Sequence, residues 1–293
     1  MLLKEKNIVI TGSGRGIGKS IAIACAKEGA NVGLTSRTME ELNDTKIQIE
    51  NLGLNIKISV KPADISNYEQ VEKIFKDFHN ELGLLNGVIA NAGYSRMSNT
   101  HEFYPEKFSE IIDVNILGVF NTFKATYPYL KKDDKNAKAK FIITGSAAYT
   151  NPMPKFAAYT ASKFATVGLQ KSLAAEYKKE NITFNQVLPT MVDTKLLRGS
   201  KAGDGNAPPG VMDPSDLTVY YLFLLSDDAN RINDELIITS DFQEIQKLIG
   251  EAPSEKKENA DIFMEYLEEK SPKIYTNVRK LKKLVQYLME KAP

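Results

Sequence analysis

Tryptophan is absent from this 293-residue chain, and cysteine and histidine nearly so, with one Cys and two His. A lone cysteine excludes an internal disulfide framework and any multi-cysteine metal site. The apolar run around Cys25 (IAIACA) marks it as a buried helix thiol rather than a nucleophile. His79 and His101 stand too far apart in sequence to suggest a metal centre, so none is expected. Charge of one sign is equally scarce: 38 Lys and Arg against 37 Asp and Glu leave a net +1, which gives no global pull toward nucleic acid or a membrane surface. No apolar run approaches the roughly 18 residues that a spanning helix needs. The start MLLKEKNIVI passes straight into a strand pattern, which makes the cytoplasm the expected location. What is present, 42% hydrophobic residues, is ample for a sizeable core.

Glycine is not scarce where it matters. NIVIT reads as a strand, and TGSGRGIGKSIAIACAKEGA as a glycine-rich turn feeding a helix. Glycines admit positive φ and close approach of a ligand, while a helix amino terminus offers unpaired N–H groups and a favourable dipole to a pyrophosphate. GxGxxG fails from Gly12, because Ile17 occupies the last glycine position, but TGxxxGxG fits at Thr11, Gly12, Gly16 and Gly18. The bland alternative for such a run, a mobile loop, is weakened by its place between strand and helix. The next strand, NVGLTSR, ends in Ser36 where an acid for the adenosine ribose 2′-hydroxyl is expected. Arg37 follows directly and Arg15 lies in the turn, so two guanidiniums could meet a 2′-phosphate. NADP(H) is therefore expected over NAD(H).

Strands and helices keep alternating, which implies a parallel, doubly wound α/β sheet with helices on both faces. A helix from Met39 to about Leu52, a strand NIKISV, the loop residue Asp64, a helix with Val71, Ile74, Phe75 and Phe78 on its apolar face, and a short strand GVIA ending at Asn91, Ala92 and Gly93 follow in order. A long helix from about Pro105 to Leu130 carries Asn115 in its interior, either for a role near a site or as a satisfied buried amide. KKDDKNAKAK reads as a solvated loop. FIIT then reads as a strand with Gly145 letting the chain turn before Ser146. A helix from Phe156 places Tyr159 and Lys163 four residues apart, facing the same way. A phenol with an unperturbed pKa of about 10 needs a fixed cation nearby to exchange protons at neutral pH, and Lys163 could supply it. That spacing alone is commonplace. After the strand TFNQVL, the Gly- and Pro-rich stretch from Pro189 to Met212 is long enough for a substrate lid. A helix opened by Asp213 or Ser215 and a last strand ELIIT close the pattern.

Taken together, TGSGRGIG, Asp64, ANAG at Ala90 to Gly93, Asn115, Ser146, YTASK at Tyr159 to Lys163, and PTMVDT from Pro189 to Thr194 resemble the short-chain dehydrogenase/reductase family across about Lys4 to Asp241. The resemblance implies a cofactor site built from Thr11, Gly12, Ser13, Arg15, Gly16, Ile17, Gly18, Ser36, Arg37, Asp64, Ile65, Asn91, Ala92, Gly93, Tyr159, Lys163, Pro189, Val192 and Thr194. It makes Tyr159 the general acid or base, Lys163 the group that lowers the tyrosine pKa and holds the nicotinamide ribose, Ser146 a donor to the substrate oxygen, and Asn115 the holder of a relay water. It also implies an NADP(H)-dependent carbonyl and secondary-alcohol oxidoreductase, with a 3-oxoacyl thioester of the acyl carrier protein type as leading substrate and a sugar, polyol or small ketone as alternative. A homo-oligomer, dimer or tetramer, is implied as well. A cofactor-sensing role would not require the full Ser, Tyr, Lys and Asn set. Two departures stand out: Thr190 where a glycine usually follows the proline, and a final strand without its glycine-rich ending. The expected organisation is a catalytic domain over residues 1–240 and a helical extension over 241–293. The extension is expected to hold GEAPSEKKEN as a polar linker and two helices, the second striped by Val278, Leu281, Val285 and Leu288, and to pack on the domain or on a sister subunit.

Overall fold

A computed structural model describes residues 1–133 and 137–291. It divides into two compact units, Met1–Leu236 and Ile237–Pro293. The first unit alternates β1 (Asn7–Thr11), α1 (Gly16–Lys27), β2 (Asn31–Thr35), α2 (Met39–Glu50), β3 (Ile58–Val60), α3 (Tyr68–Leu82) and β4 (Gly87–Ala90), then continues with α4 (Pro105–Ile112), α5 (Gly118–Thr126), β5 (Ala139–Thr144), α6 (Ala157–Glu176), β6 (Ile182–Leu188), α7 (Lys195–Arg198) and α8 (Thr218–Leu225). With β7 (Leu236–Ile238), the strands form one sheet in the order β3-β2-β1-β4-β5-β6-β7. The registers from β3 through β6 are all parallel, as in Ile8↔Val32 and Ile143↔Gln186. Every residue of β5 and β6 is buried, as parallel strands with helices on both faces require.

On one face, Phe75, Phe78, Phe123, Phe141 and Phe184 pack into the core. Phe123 meets Phe141 and Phe184 edge-on at 5.3 Å each, the arrangement that ring quadrupoles favour. The stripe expected on α3 is buried in full, and Asn67 caps that helix by accepting from the Gln70 N–H at 3.0 Å. Cys25 is fully buried, and burial pushes its thiol pKa up.

Three local expectations change. The helix through Asn115 is interrupted by a π turn over Asp113–Leu117, a feature that spacing does not announce. The charged stretch from Lys131 to Lys140 is not wholly a loop: Asp134, Lys135 and Asn136 lie outside the described residues, while Ala139 and Lys140 already belong to β5. Lys140 is 1% exposed, its ammonium donating to Asn230 Oδ1 at 2.8 Å. Gly145 has no left-handed backbone; a Cβ there would come within 2.2 Å of the Gln186 amide, so crowding rather than a turn demands glycine.

Among its described residues the second unit holds four α-helices rather than two: α9 (Thr239–Glu251), α10 (Ala260–Lys270), α11 (Pro272–Val278) and α12 (Lys282–Lys291). Helix α9 begins directly after β7, spans residues 240–249 for which the sequence predicts no element, takes in the first two residues of the expected linker GEAPSEKKEN, and buries Phe242, Ile245 and Ile249. Val278, Leu281, Val285 and Leu288 are all buried, as their spacing predicts.

Candidate active site

The strand order reverses between β1 and β4, which opens a crevice at the carboxyl ends of these strands. The glycine turn stands there. Gly12 has φ +67°, and a Cβ on it would meet Ala92 Cα at 2.8 Å; one on Gly18 would lie 2.3 Å from the Gly12 carbonyl oxygen. Thr11 Oγ1 ties the two strand ends together by accepting from the N–H groups of Asn91 and Ala92, both at 3.0 Å. Asn91 Nδ2 donates back to the Thr11 carbonyl at 2.9 Å. Ser13 is fully buried behind the turn, and Thr45 Oγ1 donates to its carbonyl at 3.0 Å. Helix α1 opens at Gly16, Ile17 and Gly18 with no side-chain cap, so the donors of its first turn are left for a ligand. A pyrophosphate fits this cradle of open amides and glycines.

At the opposite lip of the crevice, Ser146 follows β5, half-buried, its Oγ accepting from the Ala148 N–H at 3.1 Å. Tyr159 and Lys163 share one side of α6, with the Lys163 ammonium 5.5 Å from the centre of the Tyr159 ring. Lys163 Nζ donates to the Thr144 carbonyl at 2.8 Å. Desolvation lowers the Lys163 pKa to about 8. Burial raises the Tyr159 phenol, and a hydrogen bond with the Ser146 hydroxyl works against that rise. Gly93 closes the gap between the lips: a Cβ there would lie 3.5 Å from Asn115 Oδ1 and 3.8 Å from Lys163 Nζ. Asn115, inside the π turn, spends its side chain on structure. Its Oδ1 accepts from the Tyr94 N–H at 2.8 Å, and its Nδ2 donates to the Tyr94 carbonyl and to Ser162 Oγ, both at 2.9 Å.

The remaining expected residues lie around this centre. Pro189 and Val192 are buried at the end of β6, and Thr194 opens α7. Asp64 Oδ1 accepts from the N–H and hydroxyl of Ser66 at 2.9 and 2.7 Å, and Ile65 packs in the core beside it. Ser36 directly follows β2, Arg37 is exposed 4.0 Å from Asp64, and Arg15 pairs with Glu41 at 2.9 Å. A cavity of about 360 Å³ between α4 and the start of α6, lined by Phe103, Phe108 and Ala158 among others, includes none of Ser146, Tyr159 or Lys163.

Several partners were not expected from the sequence. Thr144 orients Lys163 through its carbonyl and joins Asn91 to Tyr221 through its hydroxyl, at 3.2 and 2.8 Å. The stretch after β6 is not structureless: Arg198, 10% exposed, bonds Asp193 and Asp204 at 2.8 Å each and fastens the loop on itself. Glu41 and Lys195, far apart in sequence, pair at 3.3 Å.

A nucleotide cradle and a Ser, Tyr, Lys and Asn cluster facing it across one crevice define a nicotinamide-dependent oxidoreductase class. The family model described as short chain dehydrogenase matches residues 6–204, and the chain belongs to that family. It is 31% identical over 243 residues to a 3alpha-hydroxysteroid dehydrogenase of Mediterraneibacter gnavus, a match covering 81% of this chain and 96% of the relative. Among solved structures, a 3-ketoacyl-(acyl-carrier-protein) reductase from Brucella melitensis complexed with NADH is similar with a TM-score of 0.73 at 27% identity, over 80% of this chain and 97% of that one. An alcohol dehydrogenase from Thermococcus sibiricus complexed with 5-hydroxy-NADP is similar with a TM-score of 0.68 at 28% identity, over 80% and 93%. The chain is thus an oxidoreductase of the hydroxyl and carbonyl class that acts on small molecules and uses NAD(P)(H).

Proposed function

We propose that the protein is an NADP(H)-dependent reductase and dehydrogenase that interconverts an apolar carbonyl and its secondary alcohol, with a 3-oxoacyl thioester as the leading substrate. The observation that carries the reading is the convergence of Ser146, Tyr159 and Lys163 beside the cradle. In reduction, the Tyr159 phenol gives its proton to the carbonyl oxygen as negative charge develops there, and the Ser146 hydroxyl donates a hydrogen bond to the same oxygen. Lys163 stabilises the phenolate left behind and donates to ribose hydroxyls. Asn115 holds a relay water through its main-chain carbonyl, its side-chain amide being taken by Tyr94 and Ser162. When bound, the nicotinamide supplies or takes the hydride. Arg15 and Arg37, with Ser36 in place of an acid, support a preference for the 2′-phosphate form.

An alicyclic ketone is the second reading, favoured by the exposed apolar residues Met97, Met153 and Met191 and by the steroid-dehydrogenase relative; this exposure weighs against a sugar or polyol. We further propose a homo-oligomer, since Phe108, Leu117, Phe120 and Phe164 on α4, α5, α6 and the intervening π turn leave apolar surface exposed. The test is NADPH and NADH oxidation across 3-oxoacyl thioesters, cyclic ketones and sugars. Turnover of thioesters with NADPH is expected; activity confined to sugars would overturn the substrate class. Arg37→Ala should narrow the NADPH preference by about tenfold, the lower end of what a charge-assisted hydrogen bond contributes. Equal wild-type affinities for the two cofactors would contradict that preference.

A further inference from the structure

An acidic residue in the first turn of a helix is ordinary, because it faces the positive end of the helix dipole. Glu41, in the first turn of α2, has neighbours that such a residue does not require. A Cβ on Gly14 would meet Glu41 Cβ at 2.9 Å and Ser36 Oγ at 3.0 Å, so Glu41 rises beside the end of β2, where the ribose 2′ position is read. One of its oxygens, Oε1, holds two cations from separate segments: Arg15 Nη1 of the glycine turn at 2.9 Å and Lys195 Nζ of the loop after β6 at 3.3 Å. The root of that loop also packs on the turn, since a Cβ on Gly16 would lie 3.1 Å from Thr194 Cγ2. Both cations are more than half exposed, at 56% and 55%, so their pairing with Glu41 is readily exchanged. A phosphate dianion offers more acceptors and more charge than a carboxylate.

We infer that Glu41 is an internal counter-ion whose place a cofactor 2′-phosphate takes, and that Lys195 is a third phosphate ligand supplied by the loop after β6. The inference rests on the 2′-phosphate preference proposed above. Glu41 keeps Arg15 and Lys195 together before the nucleotide arrives, and its charge then opposes the phosphate and limits the preference. Because Lys195 sits at the root of the loop, the phosphate also holds that loop on the glycine turn.

Calorimetric titration of the full-length protein with 2′,5′-ADP and with 5′-AMP tests this without nicotinamide or turnover. Lys195→Met should weaken 2′,5′-ADP by about tenfold and Glu41→Gln should tighten it severalfold, while 5′-AMP, which also reports that each variant is folded, is bound as before. A Glu41→Gln variant that loses affinity for 5′-AMP but not for 2′,5′-ADP overturns the inference, since Glu41 would then be holding the 2′-hydroxyl. If the wild type prefers 2′,5′-ADP and neither substitution moves the ratio, the preference stands and the inference is overturned. If the wild type shows no preference but Glu41→Gln creates one, the preference fails and the role of Glu41 stands.

Discussion

Tyr159 and Lys140 show how one physical cause, burial of an ionisable side chain, serves different ends. Desolvation raises the Tyr159 phenol and lowers Lys163, so in the uncomplexed site the tyrosine is held as the proton donor. Alcohol oxidation needs the phenolate and carbonyl reduction the phenol, so oxidation should accelerate as pH rises through the alkaline range while reduction slows. A pH–rate profile in both directions checks this; parallel profiles would reject Tyr159 as the shared acid and base. Tyr159→Phe removes only the proton-donating hydroxyl and should lower turnover at least about a hundredfold while sparing cofactor affinity. Lys140 has no such use. Desolvation, then the nearby Lys6, bring its pKa down to about 7, whereas an unfolded lysine titrates near 10.4. Between these values the unfolded chain binds more protons than the folded one, so this group makes stability rise with pH across that window. Lys140→Met should therefore raise Tm by a few degrees at pH 7, and the gain should shrink as pH approaches 10. Thermal melts of the two proteins at several pH values decide it.

Elements with strong local signals were legible from residues alone. The glycine turn and the apolar stripe of α3 rest on periodicity or on backbone needs that only certain residues meet, whereas Tyr159 and Lys163 at one helical turn's separation gained meaning only from the motifs around them. The π turn at Asn115 was not, because nothing in DVNIL distinguishes a one-residue insertion from a continued α-helix. The clasp after β6 was hidden for another reason: Asp193, Arg198 and Asp204 are ordinary surface residue types, and only the folded loop brings them together, with Gly203 N–H also donating to Asp193 Oδ2 at 3.1 Å. Gly199, Gly203, Gly205 and Gly210 all take positive φ in this stretch, so the backbone is free to reopen once the clasp is cut. Arg198→Ala should leave Asp193 without its cation, speed limited proteolysis between Gly199 and Gly210, and raise KM for the carbonyl more than it weakens cofactor binding. Unchanged cleavage and KM would mean that the ion pairs do not hold the loop.

The whole chain is longer than two of the proteins it resembles by roughly the size of its second unit. The hydroxysteroid dehydrogenase is matched over 96% of its length by 81% of this chain, and the three-dimensional match to the ketoacyl reductase covers 97% of that protein with 80% of this one. Every residue proposed for the crevice lies between Thr11 and Lys195, inside the first unit, so the proposed chemistry does not call on the helices from α9 onward. Those helices are joined to the last strand directly along the chain. Strand β7 is only three residues long, and α9 starts at the next residue, so the strand runs without a linker into a helix that buries Phe242, Ile245 and Ile249. A stop after Ser240 would turn that short strand into a chain terminus, and termini that are not tied down fray. The truncated protein is expected to bind NADPH with wild-type affinity and to keep its turnover per folded molecule, but to melt several degrees lower and to change its mass in solution. Calorimetric melting and light scattering of the two proteins measure both effects. A truncated chain with the full-length Tm and mass would show that β7 holds without its helix and that the second unit is an appendage with no part in the stability of the first.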